Sequence, residues 1–495
     1  NSSAQSSPNC PGNDEIEIRN IEGNFTAKAS TVLNTLADGT TIINIENYEL
    51  YGTNDRNTIV TLGGNDRIVT YDGNDTVRAG AGDDSIDGGA GNDTLYGEAG
   101  NDTIFAGAGK DSIYGGSGTD TVYIDAYSYE TINYRFDVVN GKGTLSNGSF
   151  AQDTEIFNIF TSAYGDDILK AGNAKSVWFK SYSGNDQLYG SAGDDLLDSG
   201  LGNDKVVAGK GDDVLYDLGG NNNLSAGDGN DEVHLTVFEA HGGGDTTTLD
   251  LGAGNDVVEL NAGLGYTFGK LVADGGTGTD LAVIDRNETT KALTFTLSAN
   301  ASVVNGDATL KNFERIDITG GSGADRFTGG NLSDTLDGNN GNDTLSGLGG
   351  DDWIYGGSGR DTIKGGDGSD TIWGAGSNGD TDADTIDAGA GNDYVHINSG
   401  DSAIGGTGTD TVYVDVSALT TGVKFAFGTG TVKVNGTTSF SGMETLDFTG
   451  TKGNDIVTGG TGNDTLRGNA GNDTLNGGGG KDFLYDDAGN DTLLG

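Results

Sequence analysis

The sequence predicts an all-β chain, a solenoid of very short strands, and three observations carry that prediction. From Asp66 to Asp120 an aspartate recurs every nine residues, at Asp66, Asp75, Asp84, Asp93, Asp102, Asp111 and Asp120. An aliphatic residue follows each by two positions, at Ile68, Val77, Ile86, Leu95, Ile104, Ile113 and Val122. Glycine supplies 90 of the 495 residues, far above its usual share of ~7%. Both prolines, Pro8 and Pro11, lie in the polar leader, so no later proline interrupts a hydrogen-bonded ladder.

Charge narrows the range of partners. Acids outnumber bases 75 to 26, a formal charge of −49, and such self-repulsion opposes compaction unless something positive is bound. Nucleic acid, anionic membrane and phosphorylated ligands each require a basic surface that this chain lacks; metal cations are favoured instead. Only 33% of residues are apolar, a proportion that at this charge usually leaves a chain disordered, but here they are periodic. Cys10 is the only cysteine, which leaves no intramolecular disulfide and no thiolate cluster for zinc; a free thiol near a flexible terminus is expected. No run approaches the ~18 apolar residues of a membrane span, and the polar start is not a secretory signal.

The repeating unit is GGxGxDxUx, where U is aliphatic, and it returns in three later stretches. Asp186, Asp195, Asp204, Asp213, Asn222 and Asp231 form the second array, Asp325, Asp334, Asp343, Asp352, Asp361 and Asp370 the third, and Asp455, Asp464, Asp473, Asp482 and Asp491 the fourth. Asp167, Asp256, Asp280, Asp384, Asp393 and Asp410 occupy equivalent places at irregular spacing. Three segments without the nonapeptide intervene. Each opens after "GGSGTD", "GGTGTD" or "GGTGTD", at Gly115, Gly275 and Gly405, and closes on a strand beginning with Glu155, Glu314 or Glu444. Glu46 repeats that closing strand near the N-terminus.

The expected organisation is a flexible leader over 1–15 and a connector-like β segment over 16–49. Repeat arrays follow over 50–122, 164–283 (with expanded coils over 232–280), 319–412 and 449–495. Connectors over 123–163, 284–318 and 413–448 separate them. The connectors alternate polar and apolar residues, as in "VKFAFGTGTVKVNG" from Val423, and predict hairpins that leave and rejoin the solenoid.

The unit explains itself physically. Glycines at its first, second and fourth positions permit positive φ, which allows tight turns with inward carbonyls. The aspartate adds a hard carboxylate, and x-U-x makes a three-residue strand with U inward. Two units make a coil of 18 residues, so Asp84 stacks on Asp66 along one edge and Asp93 on Asp75 along the other. Stacked about 5 Å apart, these carboxylates repel unless a cation lies between them. Six or more oxygens at roughly 2.3 to 2.6 Å suit Ca²⁺ better than the stricter Mg²⁺. Counting stacked pairs gives roughly fifteen ions, held by Asp66 through Asp491 in the rows named above.

The nonapeptide and the connector ending "GMETLDFTGTKGNDIVTGG" resemble the RTX family, the haemolysin-type calcium-binding repeats of secreted bacterial proteins, and in particular its large surface-layer or adhesin-like members. The resemblance implies a right-handed parallel β-roll with Ca²⁺ between turns, export through a type I channel in an unfolded state, and an extracellular location. Where the family usually carries a secretion segment after its repeats, an array runs on to Gly495.

Catalytic motifs are missing. His234, His241 and His396 form no HExxH, and no GxSxG elbow, P-loop or Cys/His pair occurs; the chain reads as a structural protein and not an enzyme. Tyr96 with Tyr114, Phe105 with Tyr123, and Tyr355 with Trp373 recur at coil spacing and predict stacking ladders; the alternative is a surface for a cell-surface polysaccharide or a neighbouring subunit. A last coil without a cap predicts self-association into a filament or lattice. The reading is an extracellular calcium-binding building block of a surface layer, sheath or filament, with a calcium-folded carrier region of a larger adhesin, toxin or enzyme as its competitor.

Overall fold

A computed structural model describes residues 3–6, 15–19, 21, 24–26, 34–35, 41–42 and 47–495, except 128–130, 238–245, 263–269, 299–300, 305–307 and 376–381. Cys10, Glu46 and His241 lie outside the described residues. Two compact units are present, residues 1–235 with 246–253, and residues 236–245 with 254–495. Each is a parallel β-roll, and among the described residues there is no helix.

In the first unit the strands Arg67–Val69, Ser85–Asp87, Thr103–Phe105 and Thr121–Asp125 pair in parallel, stacking Ile68, Ile86, Ile104 and Val122. The alternate repeats build the other sheet from Thr58–Val60, Thr76–Ala81, Thr94–Ala99 and Ser112–Ser117, stacking Ile59, Val77, Leu95 and Ile113. The middle residue of each strand points inward because side chains alternate across the pleat, and these aliphatics are at most 1% exposed. The few aliphatic side chains that each coil buries, such as Val77, Ala79 and Ile86, do not offset the ordering of a whole coil of backbone. The turns must therefore contribute.

Coil length is not constant. Asn223–Asp228 pairs with Thr248–Ala253 at an offset of 25 residues, Asn223 opposite Thr248, and in the second unit Val257 lies opposite Leu281. Ladder pairing survives both insertions.

Each connector is an antiparallel excursion inserted between two coils. In the first, Arg135–Val139 pairs with Lys142–Leu145, and that strand with Phe150–Gln152. Phe150–Gln152 then lies parallel to Ser112–Ser117 of the array before, while Arg135–Val139 lies parallel to Ile168–Lys170 of the array after. The chain therefore steps forward first and folds back. The second unit repeats this, with Ala308–Lys311 against Leu271–Asp274 and Thr294–Thr296 against Arg326–Thr328, then Ser439–Ser441 against Ser402–Thr407 and Lys424–Ala426 against Ile456–Thr458.

Candidate metal sites

The sixth residues of the repeats form two rows in each unit, tied by one hydrogen bond per coil. In the first unit the N–H of Asp66 donates to Asp84 Oδ1 at 2.8 Å, that of Asp84 to Asp102 and that of Asp102 to Asp120, both at 2.9 Å. Opposite, Asn57 donates to Asp75, Asp75 to Asp93 and Asp93 to Asp111. Beyond the connector the rows resume, with Asp167 donating to Asp186, Asp186 to Asp204 and Asp204 to Asn222, and with Asp195 donating to Asp213 and Asp213 to Asp231.

The second unit follows the same rule. Asp256 donates to Asp280; Asp334, Asp352, Asp370, Asp393 and Asp410 form one row, and Asp325, Asp343, Asp361 and Asp384 the other. Asp455 donates to Asp473 and Asp473 to Asp491, while Asp464 donates to Asp482.

Each such bond uses only one carboxylate oxygen. The other, Oδ2, is buried without a hydrogen-bond partner at Asp66, Asp75, Asp84, Asp93, Asp102, Asp111, Asp120, Asp186, Asp204, Asp213, Asp280, Asp343, Asp352, Asp370, Asp393, Asp410 and Asp473. A buried carboxylate oxygen left unsatisfied is costly. A repeated orphan of this kind points to a ligand.

The first glycine of the unit shows where the ligand space lies. A Cβ added at Gly97 would be 2.2 Å from Asp102 Oδ2 and 2.8 Å from the carbonyl oxygen of Gly115 in the next coil; at Gly365 it would be 2.2 Å from Asp370 Oδ2 and 2.3 Å from the Ala388 carbonyl. This corrects the expectation that all three glycines serve backbone conformation. Gly89 and Gly91, at the second and fourth positions, have φ of 76° and 148°, whereas Gly88 at the first is not in the left-handed region. The first glycine is needed for room beside the carboxylate.

Burial and neighbouring charge act on the rows together. Burial first, then the charges of Asp66 and Asp102, pushes Asp84 up to about 8. Asp204, Asp213 and Asp352 are also pushed up to about 8 by burial and by row neighbours, and Asp93 and Asp343 to about 7. Carboxyls held so far above their usual range are poised to exchange protons for a cation.

A second ladder, absent from the sequence reading, runs along the residue before each aspartate and donates the opposite way. Asp83 donates its N–H back to Asn65 Oδ1, Asn101 back to Asp83 and Thr119 back to Asn101. Neighbouring turns are thus clasped in both directions. Thr119 or Lys110 suffices where a row meets a connector, because nothing there needs its side chain as acceptor.

Three further acidic positions escaped the spacing rule. Asp401 accepts from Asp384 N–H at 3.0 Å, but it follows Asp393 by eight residues rather than nine, so the phase slips. Asp217 occupies a first-glycine position, where its Oδ2 accepts from Asn222 Nδ2 at 2.7 Å and its Oδ1 from the Ser199 hydroxyl. Asp486 also stands at a first-glycine position, and Asp473, Asp486 and Asp491 bring carboxylate oxygens within 4.8 Å of one another.

The leading coils after each connector differ. Asp334 Oδ2 accepts from Gly330 N–H at 2.6 Å, Asp464 Oδ2 from Gly460 N–H at 2.6 Å, and Asp195 Oδ2 from Ser191 N–H. Asp325 and Asp455 accept likewise from Gly321 and Thr451, and Asp167 Oδ2 accepts from the Thr161 hydroxyl. In these first loops the carboxylate curls onto its own turn.

The profile of the RTX calcium-binding nonapeptide repeat matches residues 51–86, 87–122, 179–206, 200–233, 319–354, 346–379, 377–404, 449–484 and 468–495, just over half of the chain. The chain belongs to the RTX repeat family. It is a calcium-binding repeat protein, and the roll, the orphan carboxylates and the oxygen-lined spaces beside the first glycines fit that cation. No curated protein matches the chain.

The RTX roll also carries the aromatic ladders. Tyr96 stacks on Tyr114 with centroids 4.7 Å apart, Phe105 on Tyr123 at 4.6 Å, and Tyr355 on Trp373 at 4.5 Å. Both described histidines join such stacks. His234 lies on Tyr216 at 4.5 Å, and His396 lies between Trp373 and Tyr413, with burial lowering its pKa to about 4. Stacked faces are spent on each other, which leaves less open ring surface for a sugar. Among the described residues no helix is long and apolar enough to cross a membrane.

Proposed function

We propose that this RTX chain is an extracellular structural protein, folded by calcium and built into a bacterial surface layer, sheath or filament. The observation that carries the reading is the double row of buried aspartates, seventeen of which leave one carboxylate oxygen without a hydrogen-bond partner. Ions between coils satisfy those oxygens and offset part of the −49 charge, so that cation binding and folding become one process. The ligands in this reading are the row residues from Asp66 to Asp491, joined by Asp401, holding roughly fifteen Ca²⁺. The four arrays and three connectors alternate as structural modules, and secretion in the unfolded state fits a chain that compacts only where calcium is abundant. The two described histidines, His234 and His396, are occupied as stacking rings, which supports a structural role over a catalytic one.

Assembly is tested by light scattering and negative-stain microscopy of the chain in millimolar calcium and in EDTA. Calcium-dependent sheets or fibres are expected. A monodisperse monomer in both conditions at high concentration favours instead a calcium-folded carrier region of a larger secreted protein.

A further inference from the structure

The three connectors end on one geometry that the nonapeptide does not provide. Asp120, last of its row before the first connector, donates its N–H to Glu155 Oε2 at 2.8 Å. Asp280 donates to Glu314 Oε2 and Asp410 to Glu444 Oε2, both at 2.9 Å. Each glutamate takes the part that the next coil's aspartate plays inside an array. Its own N–H and that of the following residue converge on the carbonyl of the same aspartate, as Glu444 and Thr445 do on Asp410 at 2.9 and 3.0 Å.

Two residues before each glutamate the backbone is left-handed, at Asp153, Asn312 and Gly442, with φ of 54°, 53° and 65°. That conformation brings a carbonyl to the array. A Cβ added at Gly115 would lie 2.2 Å from the Asp153 carbonyl oxygen and 2.6 Å from Asp120 Oδ2. At Gly275 the distances are 2.4 Å to Asn312 O and 2.7 Å to Asp280 Oδ2, and at Gly405 they are 2.1 Å to Gly442 O and 2.7 Å to Asp410 Oδ2. Asp120, Asp280 and Asp410 are at most 1% exposed, and their Oδ2 atoms have no partner. The connector carbonyl thus replaces the first-position carbonyl of the next coil.

We propose that each connector closes a calcium site of its own, formed by Asp120, the Asp153 carbonyl and Glu155, by Asp280, the Asn312 carbonyl and Glu314, and by Asp410, the Gly442 carbonyl and Glu444. The proposal rests on the calcium reading of the rows and extends it to segments that have no nonapeptide. In each site the row carboxylate and the carbonyl are no farther apart than two ligands of one ion held at roughly 2.3 to 2.6 Å, and all donors are hard oxygens. Calcium then fastens each connector to the array it leaves.

The test uses the full chain, counting bound calcium by equilibrium dialysis and elemental analysis, with trypsin as a probe of Lys142 and Lys433 in the connectors. Gly115→Ala, Gly275→Ala and Gly405→Ala together put a methyl in each site at positions whose φ tolerates it. The triple variant is expected to bind about three fewer ions and to be cut in its connectors at saturating calcium, with the β signal retained. Glu155→Gln, Glu314→Gln and Glu444→Gln keep the hydrogen-bond acceptor and remove the charge, and decide the matter if the alanine set does not fold. About three ions are expected to need roughly tenfold more calcium in that set. Wild-type stoichiometry, midpoint and protection in the glutamine set overturn the junction sites alone. A wild-type chain that takes up no calcium overturns the reading of the rows.

Discussion

Asp217 Oδ2 accepts a hydrogen bond from Asn222 Nδ2 at 2.7 Å, so in this one coil the carboxylate and its neutral partner have changed places. The sixth position, aspartate in most units, carries the amide, and the first, glycine in most units, carries the acid. Gly219 N–H and the Ser199 hydroxyl complete the acceptor set of Asp217, which makes this turn self-sufficient in donors.

Asn222→Asp therefore sets a second carboxylate against a buried one and removes its donor. Before calcium is added, thermal unfolding near pH 6, about where burial holds the Asp217 carboxyl, should show a loss of about 1–3 kcal/mol. The double change Asp217→Gly with Asn222→Asp restores the ordinary unit, and its calcium-loaded form should recover wild-type stability. A single variant as stable as wild type without calcium would refute the exchange.

Removing calcium should abolish the β signal in circular dichroism near neutral pH, because the orphan oxygens of both rows then face one another without a cation. Asp93→Ala, inside an array with neighbours on both sides, should raise the calcium midpoint more than Asp491→Ala, which receives one row bond and donates none in its row. Equal midpoints would argue against stacked sites.

Acid should substitute for the metal. A carboxyl whose pKa is higher folded than unfolded stabilises the fold fully below about 4, the unfolded value, and loses that contribution as pH rises through its folded value. With Asp93 at about 7 and Asp84, Asp213 and Asp352 at about 8, the metal-free roll should be most compact near pH 4 and unravel between about 5 and 8. A pH titration in EDTA followed by circular dichroism checks this, and metal-free stability that rises with pH would contradict it. Calcium uptake at neutral pH should release protons, measurable as a dependence of binding heat on buffer.

Leading coils should depend less on the ion. Asp334 Oδ2 already accepts from Gly330 N–H, while Asp352 Oδ2, one coil later, has no partner. Asp352→Asn should therefore shift the calcium midpoint of folding further than Asp334→Asn. A larger shift for Asp334→Asn would show that the curled loop opens on loading.

The sequence by itself determined the coil of two nonapeptides, the inward aliphatics such as Ile86 and Leu95, the two aspartate rows and the cation they require. These follow from a period, and a period fixes which side chains share a face. It also marked Glu155, Glu314 and Glu444, but only as the ends of segments. Only the tertiary structure decided which coil each connector strand joins, because that pairing spans thirty or more residues of unrelated sequence, as Asp120 with Glu155 does. Asp401 needed the structure as well, since an eight-residue step breaks the phase while the ladder absorbs the missing residue in a turn. The carbonyls of Asp153, Asn312 and Gly442 leave no trace in residue type, for a left-handed backbone that delivers a carbonyl oxygen accepts aspartate, asparagine or glycine alike.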